Sequence, residues 1–328
     1  MTNGDGGQTR REFLMRSARA AAAVAVTWAG GAWLWRRGRR TGQAPIAAGA
    51  VIPNFSVPSA GKRMAIVTGA DRLKTVGRAL EGVGGISAFI KKGDRVAIKV
   101  NAAFATPAML SATTNPELAA ELVRLCLAAG ARSVAVLDNP INDAESCFAL
   151  TGIGEAVRKA GAQVIMPREG LFRRVTLAGG RLIRDWPAFT EPLARADKLI
   201  GVTPLKHHSR SGASMTMKNF YGLLGGRRNR FHQDINGIIM ELAQLVRPTF
   251  VVLDGTTAMM TNGPTGGSLA DLKATNTMIV STDPVAADAF GATVLGNRAS
   301  DLPYIGRAAA AGAGIADFES LKPMRARV

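Results

Sequence analysis

The stretch Asp94-Arg-Val-Ala-Ile-Lys-Val100 decides how this chain folds. Its short apolar run between polar residues is typical of a buried β-strand. An amphipathic segment, Pro116–Ala129, follows it, with Asn115 as the candidate N-cap of a helix. A second apolar run, Ser133–Leu137, comes next. A strand, a helix and a second strand in this order predict a βαβ unit with parallel strands.

The same alternation continues along the rest of the chain. Further strands are predicted at Met64–Thr68, Gln163–Met166, Lys198–Val202, Thr249–Leu253 and Thr277–Ser281. Further helices are predicted at Leu73–Ile90, Gly154–Ala160, Ile235–Leu245, Pro284–Leu295 and Pro303–Ala311. We therefore expect an α/β fold: a single compact domain with a mostly parallel sheet flanked by helices. Val175–Leu177 and Arg181–Ile183, on either side of two glycines, predict a small β-hairpin insertion.

Composition excludes several classes of protein. Of the 328 residues, 47% are hydrophobic and 20% are charged, which excludes a disordered, collagen-like or coiled-coil chain. The formal net charge is +17, and residues 51–328 alone keep 33 basic against 22 acidic side chains. Such basicity indicates an anionic partner; a basic surface without a specific role is the alternative. We expect a small anionic molecule rather than nucleic acid, because no nucleic-acid-binding motif is present.

The two cysteines, Cys126 and Cys147, limit the cofactors that the chain can hold. An iron–sulfur cluster takes about four thiolates, so such a cluster is not expected. A disulfide would require an oxidising compartment. Because Cys126 lies in an apolar helical run, we expect it to be a buried thiol.

The N-terminus has the features of an export signal. Thr9-Arg-Arg-Glu-Phe-Leu-Met15 resembles the twin-arginine (Tat) motif, with Met15 in place of the usual final lysine. The apolar stretch Ala20–Trp35 is short for a membrane span but suits the hydrophobic region of a signal peptide. The small residues that end at Ala50 offer a cleavage site, and retention as an uncleaved anchor is the alternative.

These features predict the domain organisation and the location of the protein. Residues 1–50 form the twin-arginine signal peptide or anchor, 51–62 a linker, and 63–328 the α/β domain. The twin-arginine translocation machinery is then one partner, and the destination is the periplasm or the outer face of the inner membrane. Proteins that are exported by this route often fold around a cofactor first. The export signal therefore raises the expectation of a bound cofactor or metal.

Candidate catalytic residues lie close together in the sequence. The histidines, His207, His208 and His232, fall within 26 residues of one another. Lys206, Lys218 and Asn219 share that window. Histidine is the usual acid or base near neutral pH and a common metal ligand, so His208, His232 and Lys206 are the predicted catalytic residues. His207 alone is interpreted as a surface or core residue.

Further polar residues collect where predicted strands end, which is where α/β sheets bind ligands. Lys99 and Asn101 follow one strand, Asp138 another, and Asp254 a third. Lys99, Asn101, Lys218 and Asn219 are the predicted substrate-binding residues, with the lysines holding an anion. Carboxylates at such positions bind cations or form turns. A divalent metal held by His208, His232 and Asp254 is a further hypothesis.

Several of these positions carry the resemblance to a known family. They are Lys99-x-Asn101, Thr114-Asn115-Pro116, Pro204-Leu-Lys-His-His208, Lys218-Asn-Phe-Tyr-Gly222, His232, Asp254-Gly255, Gly263-Pro264 and Asp283-Pro-Val-Ala-Ala-Asp288. With them, residues 64–316 resemble the domain-of-unknown-function 362 family. That resemblance implies no settled activity; some relatives carry ferredoxin-like iron–sulfur segments, whose cysteines this chain lacks.

Three functions remain open from the sequence. The first is a metal- or cofactor-assisted exported enzyme that acts on a small anionic substrate, with redox chemistry as one option. The second is a periplasmic anion-binding protein without catalysis, in which the lysines matter and the histidines are dispensable. The third is an accessory or assembly factor for an exported redox enzyme, whose partner would be that redox protein.

Overall fold

The structure, a computed structural model, describes residues 51–328 together with Arg11 and Met15, which are both exposed and helical. Apart from these two residues, the predicted export signal and its alternative as an anchor lie outside the described residues. In residues 51–328 no helix is long and apolar enough to cross a membrane.

The described residues form eleven β-strands and nine α-helices. The strands are β1 (Met64–Thr68), β2 (Arg95–Lys99), β3 (Ser133–Leu137), β4 (Gln163–Ile165), β5 (Phe172–Val175), β6 (Trp186–Phe189), β7 (Lys198–His208), β8 (Gly212–Ser214), β9 (Phe250–Met259), β10 (Leu272–Ser281) and β11 (Met324–Arg327). The helices are α1 (Arg72–Gly82), α2 (Pro116–Ala128), α3 (Ala144–Leu150), α4 (Ile153–Lys159), α5 (Glu191–Ala194), α6 (Thr216–Asn219), α7 (Ile235–Leu245), α8 (Pro284–Val294) and α9 (Pro303–Ala310).

Nine strands form one mixed, mostly parallel sheet. Its order is β11-β1-β10-β9-β7-β2-β3-β4, and β8 pairs with β7 beside this path. Strands β9, β7, β2, β3 and β4 run in one direction, and β10 runs against its neighbours. The predicted α/β fold with a mostly parallel sheet is thereby confirmed. The quoted stretch at 94–100 supplies β2, in the middle of the parallel part.

Apolar side chains cover both faces of the sheet, because successive strand residues point to opposite sides. On one face, Val96 and Ile98 pack with the apolar sides of α1, α2 and α4. On the other face, Ala97 belongs to the core that α7, α8 and α9 cover. A sheet with helices on both faces presents its carboxyl-terminal edge as the place where a ligand can approach.

Several boundaries differ from the sequence-based predictions. Strand β9 continues to Met259 and β10 begins at Leu272, and three further differences have a clear cause. Helix α1 ends at Gly82 instead of continuing to residue 90, because Gly84 and Gly85 take φ values of 105° and 80° that end a helix. Strand β7 continues past residue 202 to His208, since it pairs on one side with β9 and on the other with β8. The stretch 51–62, predicted as a linker, buries Phe55 in the core and hydrogen-bonds its N–H to Arg247 O at 2.9 Å.

The predicted β-hairpin is present, but its strands lie further from the two glycines. Strand β5 pairs antiparallel with β6, which begins at Trp186. Residues 181–183, predicted as the second strand, donate their N–H groups to the buried carboxylate of Glu241 on α7 instead, at 2.7 to 3.1 Å. Because these donors are already satisfied, they cannot take part in a strand ladder.

Candidate active site

A cavity of about 140 Å³ opens at the carboxyl-terminal edge of the sheet, where β2, β3 and β7 end. After β2 the chain continues to β3, which lies on one side of β2 in the sheet, whereas β7 lies on the other side. Such a reversal of strand order creates a crevice between neighbouring strand ends. Seven of the eight predicted site residues line the cavity: Lys99, Asn101, Lys206, His208, Lys218, Asn219 and His232.

A buried ion pair forms the floor of this cavity. Lys99 Nζ, at the end of β2, lies 2.7 Å from Asp138 Oδ1, directly after β3. The same ammonium donates to Val100 O at 2.7 Å and to Asn219 Oδ1 at 3.3 Å. Burial lowers the pKa of Lys99, and the Asp138 carboxylate opposes that shift. Because protein atoms occupy all three donors, Lys99 positions its neighbours, and its predicted contact with a substrate stays a prediction.

Asn219 also has its polar atoms engaged within the protein. Its amide nitrogen donates to Lys99 O at 3.1 Å and to Val202 O at 3.2 Å, so it joins the ends of β2 and β7. The short helix α6 presents it there, and buried Asp288 on α8 caps that helix by accepting Thr216 N–H at 2.8 Å and Met217 N–H at 3.2 Å. These contacts of Asn219 position the ends of the two strands, and its predicted role in substrate binding stays a prediction.

Two further lysines line the cavity without an ion-pair partner. Among residues 51–328, the lysines in ion pairs are 62, 74, 99, 159 and 198. Lys206 donates to Ala112 O, and its Nζ lies 5.2 Å from the centre of the Phe104 ring. Lys218 Nζ lies 5.2 Å from the centre of the Tyr221 ring. Burial is the main cause that lowers the pKa of Lys206 to about 7 and that of Lys218 to about 8.

Arg228 adds a further positive charge to the wall. Its guanidinium donates to Pro140 O at 2.7 Å and to Leu224 O at 3.1 Å. The hydroxyl of Tyr221 donates to the carbonyl of Arg228, and burial raises the pKa of that phenol to about 12. The cavity lining that the structure describes therefore has four lysine or arginine side chains and one carboxylate, that of Asp138. This excess of cationic groups favours an anion in the cavity.

The tautomer of His208 follows from its backbone contacts. Its Nδ1 accepts the N–H groups of Arg210 at 3.1 Å and Ser211 at 3.3 Å, so Nδ1 carries no proton. Neutral imidazole then has its N–H at Nε2. Burial, with a smaller contribution from Lys218, lowers the pKa of His208 to about 2, so the ring stays neutral at physiological pH. His208 is therefore a fixed hydrogen-bond donor in the cavity wall.

His232 has the opposite tautomer. Its Nδ1 lies 3.1 Å from the carbonyl oxygen of Asn229, which can only accept, so Nδ1 is the protonated nitrogen. The lone pair is then on Nε2. Burial lowers the pKa of His232 from its ordinary value, which favours the neutral form of the ring. His232 can therefore accept a proton where His208 can donate a hydrogen bond.

The two rings form a complementary pair in the cavity. Their centroids are 6.2 Å apart and their planes differ by 11°. A flat group stacked between the two rings would need a ring separation of roughly 7 Å, so a ligand can contact the rings only at their edges. A hydrogen-bond donor for a developing oxyanion and a base for a proton are the two groups that proton transfer next to a carbonyl requires.

The predicted metal ligands are not brought together. Asp254 lies outside the cavity lining and accepts Arg72 Nε at 2.8 Å and Thr256 N–H at 2.9 Å. Nε2 of His208 carries a proton and cannot coordinate. In residues 51–328 no group of three or more His, Cys, Asp or Glu side chains is arranged to hold a metal ion. The hypothesis of a metal held by His208, His232 and Asp254 is therefore wrong in its geometry.

Other predicted residues take the following places. Asn101 lines the cavity, and its backbone N–H donates to Thr114 Oγ1 at 2.8 Å. His207 lies outside the cavity lining, where its Nδ1 accepts Gly263 N–H at 3.1 Å, in agreement with its interpretation as a structural residue. Cys126 and Cys147 are both buried free thiols whose pKa values burial raises to about 12 and about 11.

Sequence analysis missed some residues of the site. Phe104, which contacts Lys206, comes from a loop without a strand or helix pattern, and nothing in the sequence marks it. Tyr221 belongs to the family-like motif at residues 218–222, and Arg228 belongs to a basic run with Arg227 and Arg230. Their spacing of seven residues within a stretch rich in glycine and arginine was the available signal.

Comparisons with known proteins show the family to which the chain belongs. A family model described as "Domain of unknown function (DUF362)" matches residues 96–293. The thylakoid-associated protein sll1697 of Synechocystis sp. is 26% identical over 205 residues, which cover 57% of this chain and 60% of that protein. The chain thus spans less than two thirds of this relative's length.

A solved structure is similar at a lower level. The apoprotein of lactate racemase from Thermoanaerobacterium thermosaccharolyticum superposes with a TM-score of 0.41 and 14% identity, over 72% of this chain and 60% of that one. That likeness is too low to indicate a shared function.

The close approach of Gly222 to the ion pair gives a first prediction. A Cβ at residue 222 would lie 2.2 Å from Asp138 Oδ1 and 2.8 Å from Lys99 Nζ. Because hydrogen bonds hold both groups in place, we expect Gly222→Ala to lower the free energy of unfolding by about 1–3 kcal/mol in urea titration. Gly306→Ala is the control, since its Cβ would meet nothing within 4 Å. Equal effects in the two variants would contradict this account of the cavity floor.

Proposed function

We propose, on the premise that this chain belongs to the domain-of-unknown-function 362 family, that it is an enzyme that binds a small anion and moves a proton on it. The observation that carries the proposal is the combination in one cavity of unpaired basic groups with two histidines of opposite tautomer. Lys206, Lys218 and Arg228 would hold the anion. His208 would donate a hydrogen bond to an oxygen of the substrate, and His232 would take the proton.

The histidine pair favours catalysis over simple binding. A protein that only binds an anion needs donors, and the lysines with Arg228 already supply them. The lone pair of a neutral base offers no hydrogen to an anion, but it serves the abstraction of a proton from carbon next to a carbonyl, where the oxygen becomes negative. His208 remains effective across the physiological range because burial lowers its pKa to about 2.

Export is part of the same proposal. The twin-arginine-like segment at residues 9–15 supports delivery of the folded enzyme to the periplasm or to the outer face of the inner membrane. There the protein would meet small anions that enter the periplasm.

The pH dependence of anion binding tests the cationic part of the site. Oxalate and sulfate are suitable probes, because their charge does not change above pH 6. The lysines have pKa values of about 7 and about 8 in the free protein, so both are protonated at pH 6 and mostly neutral at pH 9. An anion binds the protonated forms, so we expect the affinity measured by calorimetry to fall at least about tenfold from pH 6 to pH 9.

Matched variants assign that affinity to the cavity. Lys218→Met should weaken oxalate binding at pH 6 by about tenfold or more, whereas Lys159→Met, at an exposed surface ion pair, should leave it unchanged. Binding that does not vary with pH, or that responds equally to both variants, would remove the basis for the proposal.

Proton transfer itself is tested by exchange of hydrogen for deuterium. We expect the protein in D₂O to accelerate deuterium incorporation at the methyl group of pyruvate or a related 2-oxo acid, as followed by proton NMR. His232→Asn keeps an amide N–H near the position of Nδ1 but lacks the Nε2 base, and should reduce the exchange rate at least about a hundredfold. His208→Asn keeps an acceptor for the backbone N–H groups but lacks the Nε2 donor, and should also slow exchange.

The control for this experiment is His207→Asn, which changes a histidine outside the cavity and should leave exchange unchanged. Anion binding that persists while exchange is absent, or is indifferent to both cavity histidines, would indicate the alternative of an anion-binding protein without catalysis.

The export part of the proposal has its own test. Arg10→Lys together with Arg11→Lys keeps the charge but removes the arginine pair, and we expect the protein to stay in the cytoplasm. Cell fractionation and immunoblotting measure this. A single Arg16→Lys change, outside the pair, should export normally; export of the double variant at the normal level would exclude the twin-arginine route.

A further inference from the structure

Lys206 differs from the other lysines of the cavity in what surrounds its amine. Lys99 has all three donors occupied and an ion pair at 2.7 Å. The side chain of Lys206, on the long strand β7, is 1% exposed. Its hydrogen-bond partner among the described residues is the carbonyl of Ala112, and it takes part in no ion pair there. The amine of Lys206 therefore keeps hydrogen-bonding capacity that no group of the described residues uses.

Its surroundings favour the neutral form of the amine. Burial costs most, and the neighbouring cation of Lys218 adds repulsion, which together bring the pKa of Lys206 to about 7. A lysine that is desolvated and next to another cation is the arrangement by which proteins activate an amine as a nucleophile. When neutral, Lys206 can donate one N–H to Ala112 and keep its lone pair for an electrophile in the cavity.

We propose that Lys206 is a nucleophile that forms a Schiff base with the carbonyl carbon of a small anionic carbonyl compound, a 2-oxo acid being the simplest. The proposal rests on the proposed function in one respect, namely that Lys218 and Arg228 hold the carboxylate. The carbonyl would then lie towards Lys206 and His208. Both residues belong to β7 and are separated by two positions, so their side chains leave the same face of the strand.

The chemical step balances without an oxidant or reductant. The lone pair of Nζ forms a bond to the carbonyl carbon, while the carbonyl π electrons move to oxygen, which accepts the hydrogen bond of His208 Nε2–H. His232 takes a proton from the attached nitrogen and returns it to the oxygen to give a carbinolamine. A second proton, taken up from solvent through His232, lets this oxygen leave as water. The net reaction converts one amine, one carbonyl and one proton into one iminium group and one water.

The Schiff base would also explain why a base stands in the same cavity. An iminium group, the protonated form of the imine, withdraws electrons from its neighbouring carbon more strongly than a carbonyl does, so a proton on that carbon becomes more acidic. The neutral His232, with its lone pair on Nε2, would accept this proton. Lys206 and His232 would then act in succession on one substrate.

Borohydride trapping of the full-length protein tests the proposal. The protein is incubated with pyruvate at pH 7.5, reduced with sodium cyanoborohydride, and examined by intact mass and peptide mapping. We expect one adduct per chain, on the peptide that contains Lys206. Lys206→Arg keeps the positive charge without a nucleophilic amine and should lose the adduct, whereas Lys159→Arg, at an exposed position, should form it as the unaltered protein does.

Two further measurements make each outcome decisive. Far-UV circular dichroism and the thermal unfolding temperature of Lys206→Arg show whether this variant is folded, and excess oxalate should suppress trapping in the unaltered protein. Adducts spread over exposed lysines, or a single adduct on Lys218, would overturn the proposal. If oxalate binds as expected and pyruvate is not trapped, the nucleophile is excluded while the proposed anion site stands; if oxalate does not bind, the proposed function itself fails.

Discussion

The buried ion pair between Lys99 and Asp138 is the constraint on which the candidate site depends. It joins the ends of two neighbouring strands, and Asn219 and the backbone of residue 222 close over it. Removing one partner of such a pair typically costs about 3–5 kcal/mol, because the other charge stays buried and unpaired. The pair therefore keeps β2, β3 and the segment after β8 in one arrangement, and that arrangement forms the cavity.

Asp138 is the one carboxylate among the cavity-lining residues that the structure describes, and it is paired with Lys99. No carboxylate of this lining is therefore left to balance Lys206 and Lys218. The folded state then binds protons on Lys206 less readily than the unfolded chain, with a pKa of about 7 against 10.5. By linkage, this lysine makes stability rise with pH between those two values, and its full cost is present below pH 7. A bound anion offsets that cost, so ligand binding and stability are coupled through the same amine.

The fold follows from local patterns, whereas several details depend on contacts distant in sequence. The apolar runs at 94–100 and 133–137 and the Asn115 cap were sufficient to predict the βαβ unit. The end of β7 was not predictable in this way, because its last residues are held by β8 and β9. The displaced hairpin has a similar cause: Glu241, about 60 residues away, takes the N–H groups that a strand would use. Period-two spacing did, however, separate His207 from His208.

The chemical roles of the histidines could not be predicted, because the backbone determines them. His208 and His232 are the same residue type, yet two N–H groups force the proton of one to Nε2, and a carbonyl holds the proton of the other at Nδ1. Residue identity and spacing predicted both histidines as catalytic residues and, as a further hypothesis, as metal ligands, without distinguishing their roles. The local turns instead make one ring a donor and the other a base. In this cavity the side chains supply the functional groups, and the main chain decides in which direction each can transfer a proton.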